Sequence, residues 1–223
     1  MKKIEIPDSR IISYLTLRKL LGGLGIALPV ILPAGDLLFG DNTSLQQSIS
    51  YYYYTNMGDV FVGVLWSFGL FLITYKGYKP DKTDRRLSDN AITNVAGVLA
   101  ICVALFPTNS DINCYQCNPG WVGTFHLVCA ATFFMILGYM SLFKFTKSNI
   151  PKAQWQNDKK RRNIVYIVCG TIIWTSMLIL FLYFMFFKGR WPATVVFWLE
   201  AFSLLAFGTS WLTKGLALRK FGL

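Results

Sequence analysis

Six long apolar segments are the feature that most limits what this chain can fold into. A membrane-spanning helix needs about 20 mostly apolar residues. Segments of this kind cover roughly residues 17–38, 58–76, 91–107, 121–143, 164–187 and 192–213. Only 15% of the 223 residues are charged, whereas about 25% are charged in an ordinary soluble domain. The sequence therefore predicts an all-α integral membrane protein with six transmembrane helices in one domain.

Basic residues account for a formal net charge of +11. All of them except Lys188 and Arg190 lie in the two tails or in the second and fourth connections between the apolar segments. Cytoplasmic loops of membrane proteins are rich in lysine and arginine. We therefore predict cytoplasmic N- and C-termini in a bacterial inner (plasma) membrane, and no nucleic-acid partner. Contact with anionic lipid headgroups is a secondary interpretation of the basic run at residues 159–162.

Two ionisable residues lie well inside the apolar segments, where such groups are costly and usually functional. Glu200 follows Pro192 by eight residues, which places it roughly 12 Å below the outer surface at 1.5 Å per residue. His126 follows Trp121 by five residues and is about 7 to 8 Å deep by the same rise. We predict that these two side chains form a charge-assisted or proton-sharing pair in an outward-facing polar cavity.

Other polar residues are expected to complete this cavity. Asp36 and Asp59 lie at the outer ends of the first and second helices, and Ser203 shares a helix face with Glu200. The long connection at about residues 39–57 carries four consecutive tyrosines, of which Tyr53 and Tyr54 are predicted to contact a ligand.

Each of these residues also has a structural interpretation. The Glu200–His126 pair could pin two helices together without binding anything, and Asp36 and Asp59 could cap helix ends in headgroup water. The tyrosines could form an interfacial belt, because their rings favour the membrane boundary while their hydroxyls stay wet.

The cysteines and the histidine narrow the possible chemistry. Cys114 and Cys117 form a C-x-x-C pair in an outer connection, where a disulfide that staples the loop is favoured over a reactive thiol pair. A single histidine excludes multi-histidine zinc sites and paired-histidine haem ligation. We predict no metal and no cofactor.

The order of these features resembles a known family. It comprises an Ile49-Ser50 step before the second helix, His126 within GTFHLVCAATFF, and Glu200 within FWLEAFSLLAFGTSW. This order is similar to that of the six-helix family of damage-regulated autophagy modulators, Frag and Sfk proteins, and related bacterial membrane proteins. The resemblance implies a lipid-related role in which His126 and Glu200 are the positions to test. The tyrosine run and the C-x-x-C loop depart from that family.

These observations favour a non-enzymatic membrane protein that binds or handles a lipid or small ligand, with proton-sensitive transport as one form of that role. Its expected partners are membrane lipids and the ligand, and a homo-oligomer is left open. The first alternative is a membrane-embedded lipid transferase or hydrolase with Glu200 or His126 as general base. The second is a thiol oxidoreductase that uses Cys114 and Cys117.

Overall fold

A computed structural model describes residues 9–40, 44–75, 88–109, 120–147 and 157–219. The long helices are α1 (Ser9–Phe39), α2 (Gly58–Thr74), α3 (Asp89–Leu105), α4 (Gly120–Tyr139), α5 (Asn157–Leu182) and α6 (Thr194–Arg219). A 3₁₀ helix (Ile49–Tyr54) lies between α1 and α2, and π-helical turns (Met140–Lys144 and Tyr183–Phe187) extend α4 and α5. The regular elements of these described residues are all helical, which confirms the predicted α class.

Four helical stretches of the described chain are long and apolar enough to cross a membrane. They are Thr16–Phe39, Gly120–Lys144, Asn157–Phe187 and Thr194–Leu216. The apolar helices α2 and α3 have 17 residues each, and a helix of that length rises roughly 26 Å, slightly less than a hydrocarbon core of about 30 Å. These lengths support a membrane protein, while the count of six spans and the cytoplasmic termini stay predictions.

The helix starts differ most from the apolar segments at α1 and α5. The α1 helix begins at Ser9 rather than near residue 17, and α5 begins at Asn157 rather than near residue 164. In α5 the added turns hold Lys159, Lys160, Arg161 and Arg162, and lysine and arginine are good helix formers. Asp158 in the first turn of α5 complements the helix dipole. An apolar segment therefore marks the part of a helix suited to lipid and not the whole helix.

The six helices close a ring in chain order. Each helix packs against the next one in the chain, and α6 packs against α1. The α1–α6 contact depends on two glycines, because a Cβ on Gly22 would lie 2.8 Å from the Gly208 carbonyl oxygen, and one on Gly208 would lie 2.5 Å from the Gly22 carbonyl oxygen. No side chain fits between backbones this close, so these glycines allow the ring to close.

Both ends of the bundle contain buried polar groups, and α6 connects them. Glu200 lies near the start of α6, and Lys214 lies fourteen residues further along it, which is roughly 21 Å at 1.5 Å per residue. We call these the Glu200 end and the Lys214 end. At the Lys214 end, Trp211 packs against the rings of Tyr75 and Phe145, with centroid distances of 5.1 and 5.3 Å.

Candidate functional site

The segment between α1 and α2 folds back over the Glu200 end. The Ser48 hydroxyl caps the 3₁₀ helix by accepting a hydrogen bond of 3.2 Å from the Tyr51 N–H. The segment is joined to α6 by a 2.9 Å bond from the Phe197 N–H to the Gln47 carbonyl. Tyr52 is buried and packs against the Phe197 ring. These contacts hold the start of the 3₁₀ helix against the first turns of α6.

Glu200 binds the backbone at the start of the 3₁₀ helix. Its carboxylate accepts a 2.7 Å hydrogen bond from the N–H of Ile49, the residue immediately before Ser50. The first N–H groups of a helix have no partner within the helix, so a carboxylate there satisfies groups that would otherwise be costly to bury. Glu200 is six residues after Thr194, roughly 9 Å along α6.

His126 contacts Ser50, the residue immediately after Ile49. Its Nδ1 lies 2.6 Å from the Phe106 carbonyl oxygen and its Nε2 lies 3.0 Å from Ser50 Oγ. The predicted direct pair with Glu200 does not form, because both ring nitrogens of His126 have other partners. Glu200 and His126 are instead connected through the consecutive residues Ile49 and Ser50.

A polar cavity of about 270 Å³ lies beside these groups. Glu200, His126 and Ser50 all line it, together with Lys188 from the turn that follows α5. The remaining polar lining residues are Gln47, Ser48, Tyr51, Thr108, Asn109, Thr124 and Tyr183. The two deep ionisable residues of the sequence therefore share one cavity, although they do not contact each other.

An apolar groove of about 840 Å³ adjoins this cavity. It lies between α4, α5 and α6, and its described lining is apolar or weakly polar except for Glu200. The lining from α4 and the π-helical turn that extends it runs from Leu127 to Leu142, a length of roughly 22 Å at the helical rise. The residues that line both spaces are Leu127, Ala130, Phe184, Val196 and Glu200. The apolar groove and the polar cavity thus meet along these five residues, among which Glu200 is the ionisable one.

Three other predicted site residues lie elsewhere. Asp59 is exposed in the first turn of α2. Asp36 is 2% exposed near the end of α1, where the Gln46 side chain donates a 3.3 Å bond to it. Ser203 is fully buried and donates to the Leu199 carbonyl of its own helix. None of the three is among the described residues that line the cavity or the groove.

The four consecutive tyrosines at residues 51–54 make different contacts. Tyr51 lines the polar cavity, whereas Tyr53 and Tyr54 pack edge to face against each other with a centroid distance of 5.2 Å. The Tyr54 hydroxyl donates to the Thr108 carbonyl, so it ties the 3₁₀ helix to the segment after α3. Burial raises the pKa of the Tyr52 phenol above its ordinary value of 10.0, the Gln46 N–H lowers it, and the Asp36 charge raises it further.

Cysteine and metal chemistry receive little support from the described residues. Cys114 and Cys117 lie outside them, so the proposed disulfide and the thiol-redox alternative stay predictions. Within the described ranges, no three histidine, cysteine, aspartate or glutamate side chains come together as a metal site would require.

Ser50 is the site residue that reasoning from the segments missed. It lies in a connection between apolar segments, where a serine carries no periodic signal, and only the folded chain places it 3.0 Å from His126. In the sequence, only the family resemblance marks the Ile49-Ser50 step. Comparison with known protein families, curated proteins and solved structures finds no match for this chain.

Proposed function

We propose that this protein binds a membrane lipid, with an acyl chain in the apolar groove and the headgroup in the polar cavity. The observation that carries this proposal is that Glu200 lines both spaces. An amphipathic ligand needs an apolar site continuous with a polar one, and the two spaces share Glu200 and four apolar residues.

The apolar groove has the properties that an acyl chain requires. Its walls belong to α4, α5 and α6, which contribute three of the four stretches long enough to cross a membrane. Leu178, Phe181 and Met185 line it and are exposed on the bundle surface. In a bilayer such a groove opens to the hydrocarbon, so a lipid can enter sideways without exposing its chain to water.

The polar cavity offers groups suited to a lipid headgroup. Glu200 supplies an acceptor for hydroxyl or ammonium groups, and Lys188 supplies a cation for a phosphate. Ser50 and the amide of Asn109 add short-range hydrogen bonding. A headgroup that carries a phosphate beside hydroxyl or ammonium donors fits this set best.

The proposal includes the predicted topology and the predicted sensitivity to pH. In a six-span topology with both termini in the cytoplasm, the polar cavity opens toward the outer leaflet. Protonation of Glu200 or His126 would change the charge presented to a headgroup and so couple occupancy to pH. The resemblance to the autophagy-modulator, Frag and Sfk family supports a lipid-related role, and transport stays a prediction.

Native mass spectrometry and lipid extraction of the protein purified in mild detergent test this proposal. Ala131→Trp places a large ring in the apolar groove, whereas Ala34→Trp places the same ring on an exposed face of α1 outside the groove lining. We expect co-purified lipid with the wild type and the Ala34 variant and a loss of at least about tenfold with the Ala131 variant, equal to about 1.4 kcal/mol. Equal lipid content in both variants, or none in the wild type, contradicts the proposal.

A further inference from the structure

The geometry points to Ser50 and His126 as a nucleophile and general base that transfer the acyl group of a lipid carboxylic ester. This inference rests on the proposed lipid site, since the ester must reach the polar cavity with its chain in the apolar groove. It concerns chemistry rather than binding, so the two proposals can fail separately.

The hydrogen bonds of His126 set the tautomer that this chemistry needs. A backbone carbonyl only accepts hydrogen bonds, so the 2.6 Å contact with Phe106 places the proton of the neutral imidazole on Nδ1. The Nε2 lone pair then faces Ser50 Oγ at 3.0 Å, and the serine hydroxyl donates to it. This is the arrangement by which an orienting acceptor, an imidazole and a serine activate the serine oxygen.

The position of Ser50 is fixed by other contacts. Glu200 accepts from the Ile49 N–H immediately before Ser50 at 2.7 Å. The Ser48 hydroxyl caps the 3₁₀ helix at the Tyr51 N–H immediately after Ser50. The backbone on both sides of Ser50 is therefore held by hydrogen bonds, and the Ser50 hydroxyl contacts His126 Nε2. Glu200 and Ser48 act in this scheme as positioning residues.

The surroundings suit an ester. Ser50 and His126 line the polar cavity, and Leu127 and Ala130, next along α4, line both the cavity and the groove. An ester carbonyl beside Ser50 can therefore direct its acyl chain into the apolar groove. Lys188 and Asn109 line the same cavity and carry N–H donors of the kind that stabilise an oxyanion.

The reaction balances with water or an alcohol as the second reactant. Ser50 Oγ bonds to the acyl carbon as its proton passes to His126 Nε2, and the ester C–O bond breaks with transfer of that proton to the departing oxygen. Water or a lipid hydroxyl then gives a proton to His126 and attacks the acyl carbon. The Ser50 ester bond breaks, and the proton returns to Ser50 Oγ. Water yields a free fatty acid, and an alcohol yields a new ester.

A fluorophosphonate probe and 4-nitrophenyl octanoate test this inference on the purified full-length chain in detergent. The serine oxygen displaces fluoride from phosphorus, so we expect covalent labelling at Ser50, located by peptide mass spectrometry, and release of nitrophenolate. Ser50→Ala should abolish both signals. His126→Gln should slow both by at least about 100-fold, the usual contribution of a general base.

Ser67→Ala is the matched control, because the Ser67 hydroxyl donates to the Gly63 carbonyl of its own helix at 2.9 Å, away from the cavity. This variant should label and hydrolyse at the wild-type rate. Absence of label at Ser50 in the folded wild type overturns the inference, as does unchanged labelling in a folded His126→Gln variant. If an unlabelled wild type retains lipid, the binding proposal stands. If Ser50 is labelled but no lipid co-purifies, only the binding proposal is overturned.

Discussion

The two ends of the bundle both bury polar groups, but they surround them differently. At the Glu200 end, Glu200 and His126 bind a loop and border a cavity of about 270 Å³. At the Lys214 end, Lys144 forms a 3.1 Å ion pair with Asp89. There the Lys214 ammonium lies over the rings of Phe145 and Tyr166.

Aromatic rings account for much of this difference. The Lys214 Nζ lies 5.4 Å from the centroid of the Phe145 ring and 6.0 Å from that of Tyr166. The Arg18 guanidinium lies 4.8 Å from the centroid of the Tyr75 ring. Cation–π contacts and ring packing surround these charges, and the pocket that Arg18 and Tyr75 line among the described residues is about 20 Å³.

The comparison teaches that burial of a charge does not by itself identify a binding site. A buried charge that is paired and enclosed by side chains is a structural group, whereas one that satisfies a loop and still borders open space can meet a ligand. On this criterion we assign a structural role to the Lys214 end, and the Glu200 end is the proposed site.

The largest expected effect is at the Lys214 end. Lys144 is 2% exposed, so Lys144→Ala leaves the Asp89 carboxylate buried without this partner and should lower the free energy of unfolding by about 3–5 kcal/mol. The exposed Lys160→Ala should stay within about 0.5 kcal/mol. Detergent-based chemical unfolding measures both. Equal losses of unfolding free energy in the Lys144 and Lys160 variants would contradict the structural role of the Lys144–Asp89 pair. Loss of lipid from the groove in a folded Lys144 variant would contradict the assignment of different roles to the two ends.

A smaller loss is expected from Glu200→Ala. This change leaves the Ile49 N–H without its acceptor, which costs about 1–3 kcal/mol for a buried donor. Glu200→Gln keeps an acceptor oxygen and should cost about 1 kcal/mol or less by the same reasoning. Unfolding curves and lipid content are measured together. If Gln destabilises as much as Ala, the Ile49 bond is not what the carboxylate provides.

Closure of the ring should affect both ends together. A Cβ on Gly22 would lie 2.8 Å from the Gly208 oxygen, so Gly22→Ala overpacks the α1–α6 contact and should cost about 1–3 kcal/mol. A Cβ on Gly63 in α2 would have no neighbour within 4 Å. Gly63→Ala should therefore raise the free energy of unfolding by about 0.5–1 kcal/mol, as alanine does in a helix interior. Thermal unfolding compares the pair. A neutral Gly22 variant would show that α1 and α6 can separate without loss.

The smallest effect concerns Tyr52 in the folded-back segment. Its phenol has a pKa above 10.0 because it is buried, so above pH 10 the unfolded chain loses this proton before the folded chain does. The free energy of unfolding should therefore fall as pH rises through 10 until the folded-state pKa is passed. Tyr52→Phe should remove about 1 kcal/mol or less near neutral pH and flatten this slope relative to the wild type. Parallel slopes for both proteins would contradict it.

The sequence predicts the apolar framework and the depth of the site because both follow from local patterns. Glu200 and His126 stand out as ionisable residues within apolar segments, and the structure places both on one cavity. Their partners could not be predicted in this way. Ile49 and Ser50 reach them only because the connection folds back across the bundle, and no periodicity records that contact.

The Lys214 end shows the opposite limit. Lys144 and Lys214 count as basic residues that flank apolar segments, and such residues normally reach solvent or headgroups. The structure buries both. Their aromatic neighbours are the sequence signal for this burial: Phe143 and Phe145 flank Lys144, and Trp211 precedes Lys214 by less than one turn. Aromatic residues are so common in this chain that the signal does not stand out.

Closure of the ring by α6 also orders events during synthesis. Ribosomes make α1 first and α6 last, and domains can begin to fold as they emerge. The α1 face that contains Gly22 must therefore wait for the contact with Gly208 until the other five helices have been made. Glu200 arrives on that same final helix, so a chain interrupted before α6 has neither a closed bundle nor a complete site. Quality control that recognises an unpartnered α1 would remove the same chains that lack the carboxylate.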